Sequence, residues 1–189
     1  MAEIFTRNRI IGLVLAALVF VVDQVIKWWM VGPLDLRMVG KIDVLSFFDL
    51  TYAENRGVSL GMLEASSIEM RYLLVALTGF IAVIVLVWMM RERILSDILG
   101  LGLILGGALG NIYDRYSIGY VIDYADLHVS WIPSQICLSY SEGLCRPFLI
   151  FNFADAAITI GVVIILVRSL FVREKDTEEA GADSVPSEN

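Results

Sequence analysis

Four long apolar runs divide the chain. Tyr72–Met90 contains no charged side chain, Ile94–Tyr113 only Asp97, Pro147–Val167 only Asp155, and Ile10–Val31 only Asp23 and Lys27. A helix rising about 1.5 Å per residue crosses a bilayer core of about 30 Å in roughly 20 residues. The pattern therefore predicts transmembrane helices at about 10–31, 72–90, 94–113 and 149–167, an all-α polytopic membrane protein. Between the first two spans, Phe48-Asp49-Leu50-Thr51-Tyr52-Ala53 alternates apolar and polar, the period of a half-buried strand, and breaks at Asn55-Arg56-Gly57. This predicts a small sheet on the membrane surface, followed by a short amphipathic surface helix around Met62–Met70. The segment from Arg115 to about Arg146 is punctuated by Gly119, Pro133 and Gly143 and shows no clear period.

The ends of the runs predict orientation. Arg7 and Arg9 precede a run resembling a secretory leader, but no small-x-small cleavage site follows, so a retained helix ending in the interfacial pair Trp28-Trp29 is expected. With the N-terminus cytoplasmic, the inner ends carry seven basic residues in about twenty positions, against six in about seventy-five outside. Both termini are therefore expected in the cytoplasm, with the two long links outside. Composition agrees: 58% hydrophobic and 19% charged residues exclude a soluble two-domain enzyme, a nucleic-acid binder and a disordered chain. Much of the net charge of −7 lies in residues 173–189, where six acids face two bases. That segment is expected to be a disordered tail on a single membrane-embedded domain, 1–172. Gly102, Gly106 and Gly110 recur every four residues in the third run, a spacing that suits close packing within the helix bundle.

The charges that interrupt the spans carry the chemistry. Ionisable groups in a bilayer are costly and need a reason. In the expected topology, Asp23 and Lys27 lie near the outer end of the first helix, Asn111, Asp114 and Arg115 at the outer end of the third, and Asn152 and Asp155 at the outer start of the fourth. Asp23 and Lys27 are four apart, a favourable helical pair, and Asn152, Asp155 and Thr159 share one face. Asp123 lies in the apolar stretch Tyr120–Tyr124, where desolvation raises a carboxyl pKa. His128 is the single histidine and is expected on a surface loop. Asp114 is expected to pair locally with Arg115 or to cap its helix.

With one histidine and no HExxH, GxSxG or Walker element, carboxylates and amides remain. Two aspartates sharing a proton can activate water, and Asp123 and Asp155 are the best-placed pair, with Asp114 and Asp126 as competitors. Composition and spacing leave two other readings open. One is a small proton-coupled carrier; the other is a non-catalytic assembly scaffold whose aspartates only cap or bridge helices.

Five elements, in order, resemble bacterial signal peptidase II. They are Asp23-Gln24-Val25-Ile26-Lys27, Asn55-Arg56-Gly57, Gly107–Arg115, Val121-Ile122-Asp123-Tyr124 and Phe151–Ala157. The resemblance implies an inner-membrane aspartic endopeptidase that cleaves prolipoprotein signal peptides before a diacylglyceryl cysteine, at the periplasmic leaflet. It makes Asp123 and Asp155 the catalytic pair. Asn55, Gly57, Asn111, Arg115 and Asn152 become substrate-positioning residues, braced by Asp23 and Lys27. It also implies no metal or cofactor, membrane lipid and prolipoprotein as partners, and function as a monomer. The family's N-x-G-A-A-F element diverges here at Val58-Ser59-Leu60. The link from Asp123 to Asn152 is longer than usual and holds Cys137 and Cys145, which an oxidising compartment permits to pair.

Overall fold

The computed structural model describes residues 6–58, 63–64, 68–129, 139–141 and 144–182. The chain runs α1 (Arg7–Val31), α2 (Leu36–Val39), β1 (Lys41–Leu45), β2 (Phe48–Asn55), β3 (Gly57–Val58), β4 (Leu63–Glu64), α3 (Ile68–Arg91), α4 (Leu95–Ser117), β5 (Val121–Leu127), β6 (Ser139–Ser141), β7 (Leu144–Arg146) and α5 (Phe153–Ala182). Four of the helices, α1, α3, α4 and α5, are long and apolar enough to cross a membrane.

Helix α4 is the hub. It touches α1, α3 and α5, and its small residues permit close approach. A Cβ on Gly106 would lie 2.5 Å from the Ala16 carbonyl of α1, and one on Gly107 2.5 Å from the Ala154 carbonyl of α5. The four-residue glycine spacing thus serves packing inside one chain. Met89, Ile98, Leu101 and Leu105 fill the space left between α1, α3 and α4. Leu73, Leu77, Phe80, Ile81 and Trp88 of α3 point outward, as expected of side chains that meet lipid. At the end of the bundle away from the sheet, Asp97 pairs with Arg168.

The sheet differs from expectation in one strand. Its order is β1-β2-β5, all antiparallel, so its third strand comes from the link between α4 and α5, where no period is visible in sequence. Phe151 bridges to Ala125 on the open side of β5. That extended pairing keeps residues before Phe153 out of the helix, so α5 starts four residues later than the apolar run suggests. The short helix between the first two spans is α2, directly after α1. Within 62–70, the described residues form β4 and the first turn of α3; the rest of that expected helix lies outside the described residues. Helix α5 continues to Ala182, ten residues into the acidic segment.

Two bulges shape the sheet. In β2, Leu50 pairs with Ala125 and Ala53 with Asp123, so three steps on one strand match two on the other. The extra residue inverts the facing of everything after it. Asp123 therefore has Asn55 as its diagonal neighbour on the same face; in an unbulged ladder Asn55 would face away.

Candidate active site

The start of α5 holds the centre together. Asn152 is its N-cap: Asn152 Oδ1 accepts from the Asp155 amide at 2.9 Å, and Asp155 Oδ2 accepts from the Asn152 amide at 3.3 Å. This reciprocal pair is a capping box with aspartate in the third helical position. The two intervening amides are also satisfied, Phe153 donating to Tyr124 Oη at 3.1 Å and Ala154 to Asp23 Oδ1 at 3.0 Å. Strand β5 and helix α1 thereby fix the helix end on which Asp155 sits.

Asn152 also reaches the other carboxyl. Its Nδ2 donates to Asp123 Oδ1 at 2.6 Å, while Asn55 Nδ2 donates to Asp123 Oδ2 at 3.1 Å. Gly57 N donates to Asn55 Oδ1 at 3.3 Å, which orients that amide. The Asp123 pKa stands at about 7 against its ordinary 3.8: burial and then the charge of Asp155 raise it, while the bonds from Asn152 and Asn55 oppose the shift.

Behind this pair lies a buried cation. Lys27 is 2.8 Å from both Asp23 and Asp114, and donates to Asn111 Oδ1 at 3.2 Å. With its oxygen held by Lys27 and by Asn152 Nδ2, Asn111 can only turn its amide nitrogen away, and it donates to Asp155 Oδ1 at 2.8 Å. Arg115 is half-buried, donates from Nη1 to Asn111 O at 3.5 Å, and leaves its buried Nε without a hydrogen-bond partner among the described residues.

All nine residues singled out in the sequence are thus linked at one end of the bundle and its adjoining sheet. Two expectations are corrected. Asp114 pairs with Lys27 rather than with Arg115, because Asp114 and Asn111, three apart on α4, share the face turned to α1. His128 is buried, 5% exposed, with Nδ1 3.4 Å from Asp49. The competitor Asp126 is bound to Arg146. Gln24 escapes sequence reasoning: its Nε2 donates to Asp23 at 3.1 Å and Asp114 at 3.0 Å, bridging the carboxylates that flank Lys27. Its place inside the Asp23–Lys27 spacing was the available signal. Cys145 is buried and disulfide-bonded; Cys137, its expected partner, lies outside the described residues.

Two cavities open onto the carboxyls. One of about 400 Å³ contains Asp123 with Glu54, Asn55 and Arg146; the other, about 470 Å³ and mainly apolar, contains Asp155 with Leu127, Phe151, Ala156 and Ile160. Phe148 and Leu149 line both.

A bundle of four apolar helices that brings two carboxyls to one asparagine, each beside a cavity, defines a polytopic membrane enzyme. Its fold matches a solved bacterial membrane enzyme, determined by the in meso method at 2.3 Å, with TM-score 0.67 and 25% identity over 94% of this chain and 93% of that one. The family model for signal peptidase (SPase) II matches residues 15–171, and the chain belongs to that family. The lipoprotein signal peptidase of Sphingopyxis alaskensis is 48% identical over 176 residues, 93% of this chain and 92% of that one. That of Rhizorhabdus wittichii is 45% identical over 185 residues, 98% and 100% of the two chains.

Proposed function

We propose that this chain removes signal peptides from diacylglyceryl-modified prolipoproteins, using Asp123 and Asp155 as a catalytic pair. The observation that carries the reading is Asn152, which donates to one carboxyl through Nδ2 and to the other through its backbone amide, while its Oδ1 accepts from the Asp155 backbone N–H. One residue thereby sets the geometry of two acids that no shared element otherwise relates. Below about pH 7 Asp123 keeps its proton, and Asp155, its two oxygens oriented by Asn111 and the Asn152 amide, acts as the base. Water gives a proton to Asp155 as its oxygen attacks the scissile carbonyl carbon, and Asp123 gives its proton to the carbonyl oxygen. Collapse of the tetrahedral intermediate breaks the C–N bond; the proton held by Asp155 passes to the leaving amine of the lipidated cysteine, and Asp123 recovers its own. The chemistry needs water alone.

Asp23, Lys27 and Asn111 act as positioning residues, while Arg115 and Asn55 orient substrate and Asp123. Residues 1–172 form one membrane-embedded domain that works as a monomer, since one chain supplies every group named. The density of basic residues at the opposite ends of the spans supports cytoplasmic termini and a site at the periplasmic leaflet of the bacterial inner membrane. The test is turnover of a diacylglyceryl prolipoprotein by purified Asp123→Asn and Asp155→Asn variants. Loss in both supports the pair; turnover by either variant near the unmodified rate overturns it.

A further inference from the structure

The long link between β5 and α5 brings an arginine to the Asp123 cavity. Strand β7 is anchored to the end of β5 by two backbone hydrogen bonds between Val129 and Cys145, each 2.8 Å, which places Arg146 next in line. Arg146 Nε donates to both oxygens of the buried Asp126, at 2.9 and 3.1 Å. Asp126 also accepts from Thr51 Oγ1 at 3.3 Å, so the mount is rigid. The ion pair uses one of the five N–H groups of the guanidinium, and among the described residues no hydrogen bond engages Nη1 or Nη2. The side chain remains 21% exposed and lines the same cavity as Asp123 and Asn55.

Among the described residues, the one other charged side chain on that cavity besides the dyad member is Glu54, and it is already matched by Arg56 at 2.7 Å and Arg37 at 3.7 Å. Glu54 is thus held by its own two arginines and does not compete for Arg146. The cavity beside Asp155 is mainly apolar, whereas the one beside Asp123 carries Glu54, Asn55 and Arg146, side chains that suit a polar segment of substrate.

Resting on the peptidase reading, we propose that Arg146 is a specificity-determining residue that favours acidic side chains in the substrate segment just after the lipidated cysteine. Asp126 acts through it as a positioning residue.

The test uses the full chain in neutral detergent and three diacylglyceryl peptides, identical except for acidic, neutral or basic residues at the two positions after the modified cysteine. The unmodified enzyme should show kcat/KM for the acidic peptide about fivefold above the neutral one, the scale of a partly exposed ion pair, with the basic peptide slowest. Arg146→Gln should bring the acidic and neutral peptides within about twofold, and Arg146→Lys should retain part of the preference. The preference should shrink in 1 M salt, where screening reaches about 3 Å. An equal loss on acidic and neutral peptides, or a ratio unchanged by Arg146→Gln, overturns the assignment. So does a preference that appears only with anionic lipid, which would assign the guanidinium to phosphate headgroups. Cleavage of all three peptides at equal rates by the unmodified enzyme removes the selectivity and leaves the peptidase reading standing. Cleavage of none removes both.

Discussion

Asp123→Asn preserves side-chain size while abolishing proton exchange, and it separates catalysis from stability. Turnover should fall by about 10²–10⁴-fold, the usual contribution of a positioned acid or base. Stability should move with pH in a direction the structure dictates. Asp123 is 2% exposed, and its pKa stands at about 7 in the fold against 3.8 ordinarily. The folded state therefore holds this proton more tightly than the unfolded one. The resulting stabilisation is complete below about pH 4 and is lost as pH rises to about 7. At about 1.36 kcal/mol per pH unit, the loss is on the order of 4 kcal/mol. The asparagine variant has no such loss. At low pH it should be the weaker protein, because its amide nitrogen faces one of the N–H donors of Asn152 or Asn55, a conflict of about 1–3 kcal/mol. By pH 8 that deficit should vanish or reverse. Thermal unfolding followed by tryptophan fluorescence at pH 4.5, 6 and 8 would show the two curves converging and crossing. Parallel curves would refute the buried, proton-retaining Asp123; retained turnover would refute its role.

Other outcomes follow from neighbouring contacts. Removing the Asn55 amide, a donor that favours the ionised form of Asp123, should shift the alkaline limb of the kcat/KM profile upward by about 0.5–1 pH unit, as read from rates between pH 5 and 9. Lys27→Met leaves Asp23 and Asp114 buried without their cation and should cost about 3–5 kcal/mol in unfolding measurements, part of which Asp114→Asn should restore. Gly106→Ala drives a Cβ into the Ala16 carbonyl and should cost about 1–3 kcal/mol, whereas Gly79→Ala, with nothing within 4 Å, should not lower the Tm. Asn152→Ala removes a helix cap worth about 1 kcal/mol, so a fall in turnover far beyond that in stability would assign it to the site.

The spans were legible because lipid imposes a length and an apolar composition on any helix that crosses it. The site was half legible for the same reason: Asp23, Lys27, Asn111 and Asp155 stand out as charges or amides that a bilayer would otherwise exclude. Helical spacing could have gone further, since Gln24 and Asp114 lie within the same short motifs. Strand β5 was not legible. Its run Val121-Ile122-Asp123-Tyr124-Ala125-Asp126-Leu127 is buried from both sides, so no alternation marks it. The burial of His128 was not legible because its cover, Asp49 of β2 and the carbonyl of the preceding Phe47, comes from a part of the chain remote in sequence.

What the amino-acid order determined by itself was the set of helices and the depth at which their polar groups lie, both consequences of transfer free energy acting residue by residue. What the tertiary structure decided was which polar groups meet. The bulge in β2 turns Asn55 toward Asp123, the Phe151–Ala125 bridge delays α5 so that Asn152 can cap it, and Lys27 chooses the orientation of the Asn111 amide. Each depends on partners remote in the chain, where hydrogen-bond geometry rather than hydropathy selects the arrangement.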